Sequence, residues 1–117
     1  MLSPGADTRI YVALAPVDMR RGFDGLAAQV AGVLKLDPFS GALFLFRGKS
    51  GGLLKALLWD GQGLCLFAKR LEKGRFVWPQ TREGTLRLSR AQLSMLIEGM
   101  DWRRAVLEPV PAQPSVV

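Results

Sequence analysis

Apolar residues come along this chain in short bursts separated by glycine and charged residues, and the spacing inside each burst distinguishes strand from helix. Arg9 to Leu14 (RIYVAL) is rich in β-branched and aromatic residues and closes just before Pro16, which predicts a strand. Phe23, Leu26, Ala27, Val30, Ala31 and Leu34 then recur at helical spacing and predict one helix with a single apolar stripe for a sheet to cover. Asp37-Pro38 ends it. The following runs, Ala42 to Arg47, Leu53 to Asp60 and Leu64 to Arg70, are too short for helices. They are joined by Gly48-Lys49-Ser50-Gly51-Gly52 and Asp60-Gly61-Gln62-Gly63, residues suited to tight reversals, so they predict consecutive hairpins. A further strand is predicted from Arg75 to Trp78, stopped by Pro79, and a short one from Thr85 to Leu88.

The second helix announces its start. Ser89 is a good N-cap, Gln92 three residues on completes a capping box, and Leu88 with Leu93 forms a hydrophobic staple. Leu93, Leu96, Ile97 and Met100 trace its apolar face, and Gly99 is placed to end it. These elements predict an α+β fold: an antiparallel β-meander of about five to six strands with two amphipathic helices packed on it. Residues 1–8 are expected to be a flexible arm, 9–105 a single domain, and 106–117 a proline-rich disordered tail.

Composition narrows the chemistry. With 117 residues and 49% hydrophobic content, one packed core needs no metal or disulfide. The single cysteine, Cys65, sits inside an apolar run and is expected to be a buried, inert thiol; histidine is absent, which excludes a His-based nucleophile and a Cys/His zinc site. No apolar stretch approaches the roughly 20 residues that span a bilayer, and the N-terminus has no secretory pattern, so a cytoplasmic protein without membrane contact is expected. No cofactor or metal is expected. The acids are scattered beside Arg or Gly, as caps, turns and ion pairs require, and no catalytic residue is nominated.

Charge is the informative property. Residues 47–75 hold seven basic side chains against two acidic ones, +5 of the chain's +6. Clustered cations point to an anionic partner, with nucleic acid ahead of an acidic protein face or a membrane surface, although solubility alone makes many domains basic. The nominated nucleic-acid-binding residues are Arg47, Lys49, Lys55, Lys69, Arg70, Lys73 and Arg75, with Arg20, Arg21 and Arg103 outlying. Arg20 and Arg21 have two readings: a phosphate clamp at a helix start, or pairing with Asp18 or Asp24 to order a turn. Trp102 beside Arg103 and Arg104 either stacks on a base or covers the end of a core. The competing role for this chain is protein interaction, with Trp59, Phe67, Phe76, Trp78 and Trp102 as interface candidates or, in the plainer reading, core. The string Arg47-Gly48-Lys49-Ser50-Gly51-Gly52 is not a nucleotide-binding loop, because Leu43 stands where the first glycine belongs and a strand follows.

Four stretches carry a family resemblance: PVDMRRGFDGLAAQV (16–30), DPFSGALFLFRGK (37–49), LKALLWDGQGLCLFAKRLEKGRFVWP (54–79) and LSRAQLSMLIEGMDWRR (88–104). Together they resemble the TnpB accessory protein of the IS-sixty-six group of bacterial insertion sequences, over about nine-tenths of the chain and in order. The resemblance implies a non-enzymatic protein that assists a separate transposase, which carries the DNA-cutting carboxylates. It supplies no catalytic residue; Asp18, Met19, Arg20, Gly22, Phe23, Asp24, Phe46, Arg47, Trp59, Asp60, Lys69, Arg70, Gly74, Trp78, Trp102 and Arg103 are family-typical positions without assigned chemistry. Expected partners are therefore DNA, bound largely without sequence preference, the transposase of the same element, and a second copy of the chain.

Overall fold

A computed structural model of the chain describes residues 4–79 and 84–103. Among them, five strands form one sheet in the order β4-β3-β2-β1-β5: β1 Ile10–Ala13, β2 Leu43–Arg47, β3 Leu53–Trp59, β4 Leu64–Arg70 and β5 Thr85–Leu88. Helix α1 (Phe23–Gln29), continued by a π-helical stretch Val30–Leu34, and helix α2 (Arg90–Ile97) pack on it, so the fold is α+β. β2, β3 and β4 make the expected antiparallel meander. β1 pairs with β2 in parallel, Ile10 opposite Leu43, and antiparallel with β5. The parallel pair follows from the crossover: a chain that leaves β1 and returns along a helix re-enters the sheet from the same end.

Strand β2 is central, and its run Leu43-Phe44-Leu45-Phe46 is buried on both faces. Phe44 and Phe46 join Leu26 and Val30 of the α1 layer, while Leu43 and Leu45 join Leu93, Leu96 and Ile97 of α2. The helices therefore cover opposite faces of the sheet. Leu26 and Val30 are fully buried, but Phe23 is 48% exposed and Ala31 faces solvent. Phe23 stands in the first turn of α1; from Val30 the hydrogen bonding widens to a π-turn, which carries Ala31 out of the predicted stripe, and Lys35, in a left-handed conformation, ends the helix.

Helix α2 begins as its sequence requires. The Ser89 hydroxyl accepts from the Gln92 N–H at 3.1 Å, and the Ser89 N–H donates to the Gln92 side chain at 2.8 Å. Leu88 and Leu93 are both buried beside the cap. Gly99, with φ of 77°, turns the chain away, which puts Met100 outside the apolar face it was expected to extend.

The segment Arg75 to Trp78 is not a strand. β4 lies at one sheet edge and β5 at the other, so the chain must traverse four inter-strand spacings, roughly 19 Å, across a face. Residues 76–79 belong to that traverse: Phe76 and Trp78 are buried over the α2-side core, and the Trp78 indole N–H donates to the Ala13 carbonyl at 3.0 Å. Cys65, expected to be buried, is exposed on edge strand β4. In the expected arm, residues 4–8 include an exposed turn; the tail over 106–117 lies outside the described residues.

Candidate nucleic-acid interface

Strand directions decide where the cations gather. β1 and β2 run parallel, so Ala13 and Arg47 finish at the same end of the sheet. β3 starts there, with Leu54 opposite Arg47; β4 finishes there, with Arg70 opposite Leu53; and β5 starts there, with Thr85 opposite Ala13. The loop 14–22, the hairpin 48–52, the segment after Arg70 and the end of α2 thus meet. Short bonds join them: Val17 N–H to the Arg47 carbonyl, Leu71 N–H to Gly52 and Phe76 N–H to Gly51, each 2.9 Å. Gly51 has a φ of 79°, and the Arg75 side chain lies across it.

Six of the ten nominated cations (Arg20, Arg21, Lys49, Lys73, Arg75 and Arg103) sit on these segments or just past α2; Arg47, Lys69 and Arg70 lie at the ends of β2 and β4 that meet them, and Lys55, two residues into β3, reaches back to the Arg21 carbonyl at 2.9 Å. Several of them hold the end together. Lys69 donates to the Ile97 carbonyl at 2.8 Å, satisfying a terminal carbonyl of α2 at the negative end of its dipole. The Arg47 guanidinium lies over the Trp78 ring, 6.0 Å from its centroid. Arg21 runs along α1, its stem against Gly25, and donates to the Gln29 side chain.

Three cations meet carboxylates. Arg20 grips Asp18 through Nε and Nη2, with Nη2 at 2.7 Å, and remains 91% exposed. Asp18 also accepts the Arg20 backbone N–H, and these bonds to Arg20 hold its carboxyl well below the usual carboxylate range. Of the two readings of this turn, the pair with Asp18 is the one formed. Arg103 pairs with Asp101 at 2.9 Å. Arg70 and Glu72 are 3.8 Å apart and both exposed, a contact of little strength in water. Lys49, Lys73 and Arg75 are exposed and make no hydrogen bond or ion pair among the described residues.

The aromatic candidates divide. Phe76, Trp78 and Trp102 are buried, at 5%, 8% and 3% exposure, so they build core rather than a docking face. Trp102 covers the α2-side core and its indole N–H donates to the Val77 carbonyl. Phe67 is half-buried against the same core. Trp59 is half-buried at the opposite end of the sheet, with Phe39 edge-on at 5.5 Å.

Two side chains escaped the sequence reading. Arg87 of β5 lies over Tyr11, 5.8 Å from the ring centroid, on the α1 side. Met19 packs so closely on Gly48 that a Cβ there would stand 2.6 Å from its Cγ. Met19 falls in a family-typical stretch without assigned chemistry, whereas Arg87 lies just outside all four stretches. At the far hairpin, Asp60 accepts from the Gln62 and Gly63 N–H groups at 2.9 Å, which, with the Cys65 thiol, lower its pKa. Desolvation and the neighbouring Asp60 raise the Cys65 pKa, so the thiol stays protonated and weakly nucleophilic despite its exposure. Among the described residues no three His, Cys, Asp or Glu side chains group as metal ligands, and no helix is long and apolar enough to cross a membrane.

The geometry defines a small α+β domain whose cations converge on one end of its sheet. Comparison with known proteins then identifies the lineage: the chain belongs to the IS66 Orf2-like protein family, whose profile matches residues 8–106. It is an insertion-sequence-associated protein. Two relatives from Sinorhizobium fredii (strain NBRC 101917 / NGR234) are similar over nearly their whole length. The uncharacterized protein y4hO is 54% identical over 103 residues, covering 88% of this chain and 90% of its own. The uncharacterized protein y4jC is 43% identical over 110 residues, covering 94% of each. No solved structure matches the chain.

Proposed function

We propose that this chain is a non-enzymatic accessory protein of insertion-sequence transposition that binds DNA through the basic end of its sheet and assists a separate transposase. One observation carries the reading: cations far apart in sequence, from Arg20 to Arg103, arrive at one end of the fold and outnumber the acids beside them, of which Asp18 and Asp101 are engaged by arginines and Glu72 lies 3.8 Å from Arg70. Lys49, Lys73 and Arg75 supply phosphate contacts on loops, and Arg20, Arg70 and Arg103 add to them with the faces their carboxylates leave open. Such contacts give affinity and little sequence information. The cutting chemistry is assigned to the transposase: it calls for carboxylates that gather around metal ions, and among the described residues no three His, Cys, Asp or Glu side chains group in that way. Binding DNA places it in the compartment of the element, the cytoplasm of a bacterium.

The test is a salt titration of the purified protein against element-end and random duplex, with and without transposase. Affinity that falls steeply with salt and differs little between duplexes is the expected result; no binding to either duplex at low salt rejects the proposal. A second reading, docking on the transposase or on another copy of the chain without DNA, is favoured by Phe39, 53% exposed against Trp59 at the other end of the sheet. Capture of the transposase after nuclease treatment, abolished by Trp59→Ala, would support that reading.

A further inference from the structure

Between the loop after β1 and the β2–β3 hairpin lies a cleft with two adjoining compartments of about 360 and 350 Å³, both lined by Val17, Asp18 and Lys49. Met19, Arg20 and Leu53 complete the second. Its composition is not that of a phosphate track alone. Val17 is 9% exposed, and Met19 and Leu53 are half-buried, so beside Asp18, Gly48 and Ser50 the walls include aliphatic surface and a thioether. Arg20 and Lys49 flank them, one on the loop and one on the hairpin.

The rim is preorganised. Asp18 occupies the Nε and Nη2 edge of Arg20, which fixes the guanidinium plane and leaves Nη1 without a partner among the described residues. Lys49, on the facing hairpin, likewise has no partner there. A duplex buries its base faces in its own stack and offers a protein only phosphates and groove edges. A cleft with apolar surface between two cations instead matches an unstacked nucleotide: the base against Met19 and Leu53, as apolar side chains hold an extruded base, and the flanking phosphates on Arg20 Nη1 and Lys49. The volume lies within the range of small-ligand sites, which begins at about 300 Å³.

We infer that this cleft seats one unpaired nucleotide, so that the protein prefers DNA at a junction between duplex and single strand. The inference rests on DNA binding at the basic end and adds a ligand to it. It follows that the protein recognises frayed or nicked ends by structure rather than by sequence.

Fluorescence anisotropy with a blunt duplex and the same duplex bearing a short unpaired tail tests it. The tailed DNA should bind about tenfold tighter, the order expected from burying part of one base's apolar face against two aliphatic side chains. Met19→Ala with Leu53→Ser should remove most of that preference and leave blunt-duplex affinity within about twofold, since neither change alters charge. Equal affinity of the wild-type protein for both DNAs overturns the cleft and leaves the basic end standing; failure to bind either overturns both. Independently of any variant, 5-iodouracil in the tail should photocrosslink to residues 16–20 or 48–53, and adducts confined to other segments would refute the placement.

Discussion

Replacing Lys49, Lys73 and Arg75 together with glutamine isolates the cations that have no structural duty. All three are exposed, and among the described residues none makes a hydrogen bond or ion pair. Stability should therefore stay within about 0.5 kcal/mol per substitution. The effect on DNA binding should be large and of known form. Each phosphate contact contributes about −0.9 to the slope of log K against log salt, so three lost contacts make the slope shallower by about 2.7. Between about 50 and 200 mM salt, the wild-type protein then loses about fortyfold more affinity than the variant does. The control carries the same change in net charge at the other end of the sheet: Arg9→Gln, Lys35→Gln and Arg90→Gln. Arg9 immediately precedes Ile10, Arg90 opens α2 just after Leu88, and Ile10 pairs with both Leu43 and Leu88, away from Arg47. Anisotropy titrations at several salt concentrations, with urea melts of each protein, read the outcome. Equal slopes for the two triple variants would refute the argument, because net charge and not its placement would then govern binding.

Three further outcomes test the framework of the site. Ser89→Ala removes the cap of α2 and should cost about 1 kcal/mol, seen as a lower urea midpoint with an unchanged m-value; no shift would mean that the box contributes nothing. Trp78→Phe keeps an aromatic side chain but strips the bond to the Ala13 carbonyl and leaves part of the indole's space empty, for a loss of about 1–3 kcal/mol or more in urea denaturation. Asp60 has a folded pKa below its ordinary value of 3.8, so its contribution is full above that value and disappears as pH falls through the folded one. The urea midpoints of the wild-type protein and Asp60→Asn should stand apart at neutral pH and converge below pH 3.8; a gap independent of pH would contradict the assignment.

Local rules made much of this molecule legible. β4 and β5 fall where short apolar runs and turn residues put them, and the Ser89 box forms bond for bond. The long-range choices were not legible. Arg75 to Trp78 has the residues of a strand, but the need to travel from one sheet edge to the other overrides that preference and turns its aromatics into a cover for the core. For the same reason, three aromatics nominated as an interface became interior. The parallel pairing of β1 and β2 was implicit in the order strand, helix, strand, which an antiparallel meander does not accommodate. At the site, local charge density located the cations of residues 47–75, and topology added Arg20, Arg21 and Arg103 to them. Which cations are spent on structure depends on partners distant in sequence, such as Ile97 for Lys69 and Trp78 for Arg47.

The traverse from β4 to β5 also sets a timetable for synthesis. Ile10, Val12, Leu43, Leu45, Leu54 and Ala56 present one apolar face, and everything that roofs it, from Phe76 to Trp102, is translated later. A nascent chain that has reached only Arg70 therefore carries a greasy, unroofed layer as it leaves the ribosome. A fragment stopped at Arg70 should bind a hydrophobic dye such as ANS and precipitate, whereas the whole chain should do neither.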